Sequence, residues 1–151
     1  MAQVKPIPDG YHTITPSITV DGAEELIAFL QKVFDAKVES SLKRPDGKVM
    51  HAEVKIGNSK VMLGDTCQSM MNPMPSNLYV YVQDVDATYR KALDAGATSM
   101  MEPTDMFWGD RMCSVTDRFG NHWSIATHVE DVPLNEIERR AQEFARQFSN
   151  G

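Results

Sequence analysis

His51 and Glu53 stand two residues apart in a stretch that alternates apolar and polar side chains, so a strand there carries both on one face. That pairing suits two chemistries. A histidine near its ordinary pKa beside a carboxylate can move protons at neutral pH. With His122 added, the set His51, Glu53 and His122 has the donor types that hold Zn, Ni or Fe. An exposed cross-strand pair without chemical duty is the plainer reading of His51 and Glu53. His122 and His128 alternate with Trp123 and Ile125, which turns both histidines to one side of a strand.

Aromatic and polar groups give a different kind of site. Tyr79 and Tyr81 share the face of Asn77, and Phe107 with Trp108 occupies a turn next to Gly109. Walls of this type offer apolar area with a few oriented hydrogen bonds, which is what a small organic molecule requires. Arg111 has two uses open to it: pairing with Asp117 to hold the hairpin, or reaching a ligand carboxylate or phosphate. Cys113, inside an alternating strand with no histidine beside it in sequence, reads as core rather than nucleophile.

The composition narrows the partners. A net charge of -6 and the lack of clustered Lys and Arg exclude a nucleic-acid surface. No apolar run approaches the roughly 18 residues of a bilayer span, and the N-terminus has no signal-peptide pattern, so no membrane partner is expected. Two cysteines without CxxC spacing fit a reducing compartment, and cytoplasm is the expected location. The 151 residues, 42% of them hydrophobic, suffice for one domain with a real core.

The elements that must position these residues come twice. Ile56-Gly57-Asn58 before Val61-Met62-Leu63 is echoed by Phe119-Gly120-Asn121 before Trp123-Ser124-Ile125, and both halves read strand, helix, three strands. The first module spans 14–64. Its opening strand places Ile14, Ile18 and Val20 on one face and Thr15, Ser17 and Thr19 on the other. Asp21 is placed to cap the helix striped by Leu26, Ile27, Leu30, Val33 and Phe34. A linker over 65–75, holding Met70, Met71, Pro73, Met74 and Pro75, leads to the second module at 76–129. There a helix starts at Asp84 or Asp86 and stops at Gly96. Leu134, Ile137, Ala141, Phe144 and Phe148 recur at helical spacing, which predicts an amphipathic helix over 133–148; it either packs on its own domain or meets a second subunit. The expected class is α+β, with two βαβββ modules forming a curled mixed sheet plus a C-terminal helix, all within a single domain over 1–151.

With Trp108-Gly109-Asp110-Arg111 at the last hairpin and Asp117-Arg118-Phe119-Gly120-Asn121-His122-Trp123 entering the final strand, the chain resembles the vicinal oxygen chelate superfamily. This is the family of glyoxalase I, bleomycin-resistance and fosfomycin-resistance proteins and extradiol dioxygenases. The opening from Ile14 to Phe34 and the His51-Ala52-Glu53 strand look most like its PhnB-like branch. The likeness covers about Ile14 to Val129. It implies an open cup, commonly completed by a homodimer, in which enzyme members hold a divalent metal with His and Glu from the first and last strands of each module. Those positions fall here on Thr15, Val61 (or Met62 if the register slips by one), Asn77 and Ser124, none of them His, Glu or Asp. The expectation is therefore a protein that binds a small organic molecule with no metal cofactor. Its ligand contacts come from Thr15, Ser17, Asn77 and Tyr79, and from Phe107, Trp108, Arg111 and Ser124. The alternative is a lyase, isomerase or dioxygenase-like metalloenzyme using His51, Glu53 and His122.

Overall fold

A computed structural model describes residues 3–67 and 72–149. Each half of the chain builds one four-stranded sheet. In the first, β1 (Ser17–Val20), β2 (Lys37–Lys43), β3 (Val49–Ile56) and β4 (Ser59–Asp65) lie in the order β1-β4-β3-β2. In the second, β5 (Asn77–Tyr81), β6 (Thr98–Asp105), β7 (Asp110–Thr116) and β8 (His122–His128) lie in the order β5-β8-β7-β6. In both sheets the first strand runs parallel to the last and the other pairs are antiparallel. The helices are α1 (Ala23–Phe34), α2 (Val85–Asp94) and α3 (Leu134–Ser149). This is the duplicated α+β architecture that the repeated element order predicts.

Alternation along the strands decides what each sheet buries. Ile18, Val20, Ala52, Val54, Val61 and Leu63 turn to the helix side and meet Leu26, Leu30 and Val33 of α1. In the second sheet Cys113, Val115, Trp123 and Ile125 face the same way, with Val85 and Ala92 of α2 beside them. Since α1 also packs on α2, and the rings of Phe34 and Trp123 lie 5.4 Å apart, one core serves both halves. The other face of each sheet, turned away from these helices, carries polar and aromatic groups together with Met62, Met112 and Ala126.

Several local expectations change. The opening strand begins only at Ser17, and Ile14 is exposed, because parallel pairing with β4 starts at Ser17 opposite Met62. Asp21 does not cap α1. The N-cap is Gly22, at φ 126°, and Asp65 at the end of β4 takes over: its Oδ1 accepts the N–H groups of Gly22 (2.8 Å) and Ala23 (2.9 Å), while its Oδ2 accepts that of Val49 (2.7 Å). The helix start is thus stitched to two strands by a residue distant in sequence. At α2 the expected cap forms, with Asp84 accepting from the Ala87 N–H at 3.0 Å, and Gly96 ends the turn at φ 97°.

Strand β6 runs on through Pro103 to Asp105, which an edge strand allows because its outward N–H groups need no partner. Met70 and Met71 of the linker lie outside the described residues. The C-terminal helix packs on its own chain: the Phe144 ring sits 5.2 Å from Phe107, and Arg140 donates to the Phe107 carbonyl at 3.1 Å. Leu134 is exposed, and the side chain of Phe148 lies outside the described set.

Candidate functional site

The β6–β7 turn is built by backbone. Gly109 takes φ 106°, and its carbonyl accepts the N–H groups of Val129 (2.9 Å) and Glu130 (3.1 Å), so the turn is clamped to the chain leaving β8. A Cβ at Gly109 would come within 2.1 Å of the Glu130 carbonyl oxygen, and only glycine fits. The next residue, Asp110, opens β7 opposite His128, on the same face as Met112 and Ser114. Register brings the tyrosines to it: Tyr79 pairs with Ser124 and Tyr81 with Ala126, so both rings rise from the face that Asp110 occupies.

Four donors converge on this carboxylate, whose side chain is only 2% exposed. Its Oδ2 accepts from the Tyr79 hydroxyl at 2.7 Å, the Tyr81 hydroxyl at 2.8 Å and the Trp108 indole N–H at 3.1 Å. Its Oδ1 takes His128 Nδ1 at 2.8 Å, and the other ring nitrogen of His128 lies 2.8 Å from Asp131. Burial pushes the Asp110 carboxyl upward, but the hydrogen bonds from Tyr79, His128, Tyr81 and Trp108 outweigh it and hold the group below its usual range. Both tyrosines are raised, Tyr79 chiefly by burial and Tyr81 chiefly by its bond to Asp110. His128 is raised by its bonds to Asp110 and Asp131. The cluster is therefore a carboxylate facing protonated phenols, an indole and an imidazole whose protonated form it favours.

On the first sheet the corresponding face gathers around Glu53. Its Oε2 accepts from the Ser40 hydroxyl at 3.2 Å, and His51 Nε2 lies 3.7 Å from its other oxygen. Tyr11, from the N-terminal arm, buries its hydroxyl beside this carboxylate at a geometry short of a full hydrogen bond. Tyr11, then Ser40 and His51, hold the Glu53 carboxyl low against the effect of burial, while burial and Glu53 push Tyr11 up to about 12. Lys60 sits over the Tyr11 ring, 4.6 Å from its centroid, and pairs with Glu39 at 2.8 Å. His51 and Glu53 thus share a face, as their spacing predicts.

His122 does not join them: it stands on the second sheet, between Asn77 and Thr116. Among the described residues no three His, Cys, Asp or Glu side chains gather as metal ligands, so the set His51, Glu53 and His122 is not assembled. The positions that the resemblance assigns to a metal fare no better. Thr15 lies ahead of β1 and donates to the His12 carbonyl at 3.2 Å. Val61 is core, and Met62 is the residue that turns to the face of Glu53. Asn77 and Ser124 sit on the open face of the second sheet, Ser124 nearly covered. A hydroxyl, a thioether and an amide do not supply the charge a divalent ion needs, so these residues do not fit one.

The remaining aromatic and polar candidates divide. Phe107 and Trp108 pack edge to face, with centroids 5.0 Å apart, beside Asp110. Ser17 is on the open face of the first sheet, exposed. Arg111 points to the opposite side. It pairs with Asp86 at 2.8 Å and Asp105 at 3.2 Å, not with Asp117, whose carboxylate instead binds Asn121 Nδ2 and Trp123 Nε1, each at 2.9 Å. The residue that sequence reasoning passed over is Asp110 itself. The available signal was an acid directly after the glycine of Trp108-Gly109-Asp110, at a strand start and in phase with inward positions. An apolar groove of about 660 Å³ runs between the halves, bordered by Pro16, Ile56 and Val61 on one side and Val80 and Val82 on the other, and it adjoins the cluster, since Tyr79 and Tyr81 also line it.

Comparison with known proteins agrees with this architecture. The model of the Glyoxalase/Bleomycin resistance protein/Dioxygenase superfamily matches residues 11–125. The uncharacterized protein Rv0887c of Mycobacterium tuberculosis is 38% identical over 135 residues, covering 83% of this chain and 79% of that protein. Among solved structures, the PhnB protein from Bacillus cereus is similar with a TM-score of 0.63 at 20% identity, over 77% of this chain and 99% of that one. A mutant of the fosfomycin resistance protein FosX from Listeria monocytogenes, complexed with Mn(II) and 1S,2S-dihydroxypropylphosphonic acid, is similar with a TM-score of 0.60 at 16% identity, over 84% of this chain and 94% of that one.

Proposed function

Since the chain belongs to the glyoxalase/bleomycin resistance protein/dioxygenase superfamily, we propose that it binds a small organic molecule on the open face of its second sheet, without the divalent metal of its enzyme relatives. The observation that carries this reading is the Asp110 cluster. One buried carboxylate fixes the hydroxyls of Tyr79 and Tyr81 and the indole of Trp108, so these rings are pre-oriented as walls rather than left free to collapse. Asn77 and Ser124 on the same face add polar contacts, and Phe107 backs Trp108.

The protein is further proposed to act as a cytoplasmic homodimer. The two cysteines have no CxxC spacing, and Leu42 and Met50 expose apolar area on the first sheet that a second subunit would cover. Mass in solution tests the dimer, and a clean monomer at micromolar concentration counts against it. For the metal-free reading, protein purified without chelator or a metal-affinity tag is equilibrated with Zn, Ni or Fe salts, dialysed and analysed for metal. Sub-stoichiometric content is expected. Stoichiometric metal that disappears in His51→Ala would refute it.

A further inference from the structure

The hydrogen bonds of the Asp110 cluster all point one way. Both phenol protons go to the same oxygen, Asp110 Oδ2, at 2.7 and 2.8 Å; the Trp108 N–H joins them at 3.1 Å. The two ring nitrogens of His128 are taken by Asp110 and Asp131, each at 2.8 Å. Every donor of the cluster is thus taken by a carboxylate of this chain. What this cluster leaves for a guest is the faces of the rings and the lone pairs of two phenol oxygens, all of them electron-rich, with the neutral Asn77 amide and Ser124 hydroxyl on the same face.

Charge adds to this polarity. Asp110 lies at the hydroxyl ends of the two rings at 2% exposure, away from the screening of bulk water, and its partner His128 is shared with Asp131. The arginines tied to this hairpin are engaged elsewhere. Arg111 is held on the other face by Asp86 and Asp105, and Arg140 is fixed by Glu130, Glu136 and the Phe107 carbonyl. An anion such as the phosphonate bound with Mn(II) in the Listeria protein would find no donor in this cluster. Shape completes the case: the Tyr79 and Tyr81 rings stand 5.3 Å apart and tilted by 57°, two half-exposed walls of a wedge.

We propose that the guest of this face is an organic cation, bearing an ammonium, quaternary ammonium or guanidinium group, seated against the rings of Tyr79, Tyr81 and Trp108, whose polar edges the Asp110 carboxylate holds. The proposal rests on the reading of the second sheet's open face as the binding face, and names its ligand class. Attraction between a cation and a ring face acts within about 6 Å of the centroid, a distance that both walls of the wedge meet together.

The test compares choline with 3,3-dimethylbutan-1-ol, its neutral isostere, and with methylphosphonate, by following the Trp108 indole N–H of the full chain in NMR titrations. Choline is expected to bind about tenfold more tightly than the alcohol, and the phosphonate to leave the signal unmoved. Tyr81→Phe keeps the ring and should keep most of that preference, whereas Tyr81→Leu should abolish it; Tyr81 is exposed enough for both variants to fold. If the alcohol binds as well as choline, or the phosphonate binds better, the cation inference fails while the small-molecule reading stands. If none of the three moves the Trp108 signal at tens of millimolar (about the weakest affinity a fragment of this size shows), both fail.

Discussion

Replacing Asp110 with asparagine keeps the shape of the side chain and removes the charge on which the cluster depends. The amide has one acceptor and one donor end, and the better fit turns its oxygen toward Tyr79, Tyr81 and Trp108, leaving its NH2 against His128. Three bonds then fall from charge-assisted to neutral, each losing about 1 kcal/mol, and the His128 pair is lost outright. Relief of the carboxylate's desolvation returns part of this, so the net destabilisation is about 2–3 kcal/mol. For a chain of this size that is a Tm lower by roughly 4–12 °C. Urea unfolding at neutral pH measures it directly.

The pH dependence carries a sign. The native carboxyl lies below its unfolded value, so its contribution is fully present above the unfolded pKa of about 4 and is lost as pH falls through the lower, native value. Wild type and Asp110→Asn should therefore converge in stability under acid. The His128 pKa, raised by Asp110 first and Asp131 second, should drop in the variant when followed by NMR. A variant within about 0.5 kcal/mol of wild type at neutral pH, with an unmoved His128 titration, would show that the four bonds do not organise this face.

Three further outcomes follow from other parts of the molecule. Asp65→Ala should cost about 2–3 kcal/mol because it frees the N–H groups of Gly22, Ala23 and Val49, whereas Asp21→Ala, which removes only an exposed contact to Lys48, should cost under about 0.5 kcal/mol; equal effects in denaturant melts would refute the long-range cap. Gly109→Ala should cost at least about 3 kcal/mol, since strain at φ 106° adds to contact with the Glu130 carbonyl; Gly47→Ala, with a similar φ of 86° but open space, should cost only about 1–2 kcal/mol in the same melts. His128→Gln should lower Tm most at mildly acidic pH. The raised native pKa of His128 makes its contribution fully present below the unfolded value of about 6.5 and lost as pH rises through the native one, so a gap that widened from pH 6 to pH 8 would contradict the assignment.

Much of this molecule was written in local pattern. Period-two alternation, the doubled Gly-Asn turns, the Asp84 cap and the Gly96 stop are signals within a few residues of each other, and they fixed the two βαβββ units, the helix stripes and the shared face of His51 and Glu53. They also fixed which side of the second sheet carries Tyr79 and Tyr81, because strand geometry leaves no freedom in that choice.

What the sequence left open depends on which strands lie side by side and how far apart the sheets are. The replacement of Asp21 by Asp65 at α1 needed the parallel pairing of β1 with β4, and the separation of His122 from His51 needed the two sheets to be distinct. Arg111 found Asp86 instead of Asp117 because odd positions of β7 face α2. Asp110 became the centre of the cluster only when β5, β7 and β8 aligned their registers, so that hydroxyls and an imidazole from distant segments joined the neighbouring Trp108 indole on one carboxylate. Hydrogen bonds act over about 3 Å, and a linear pattern with a period of two residues cannot specify which partners come that close across strands.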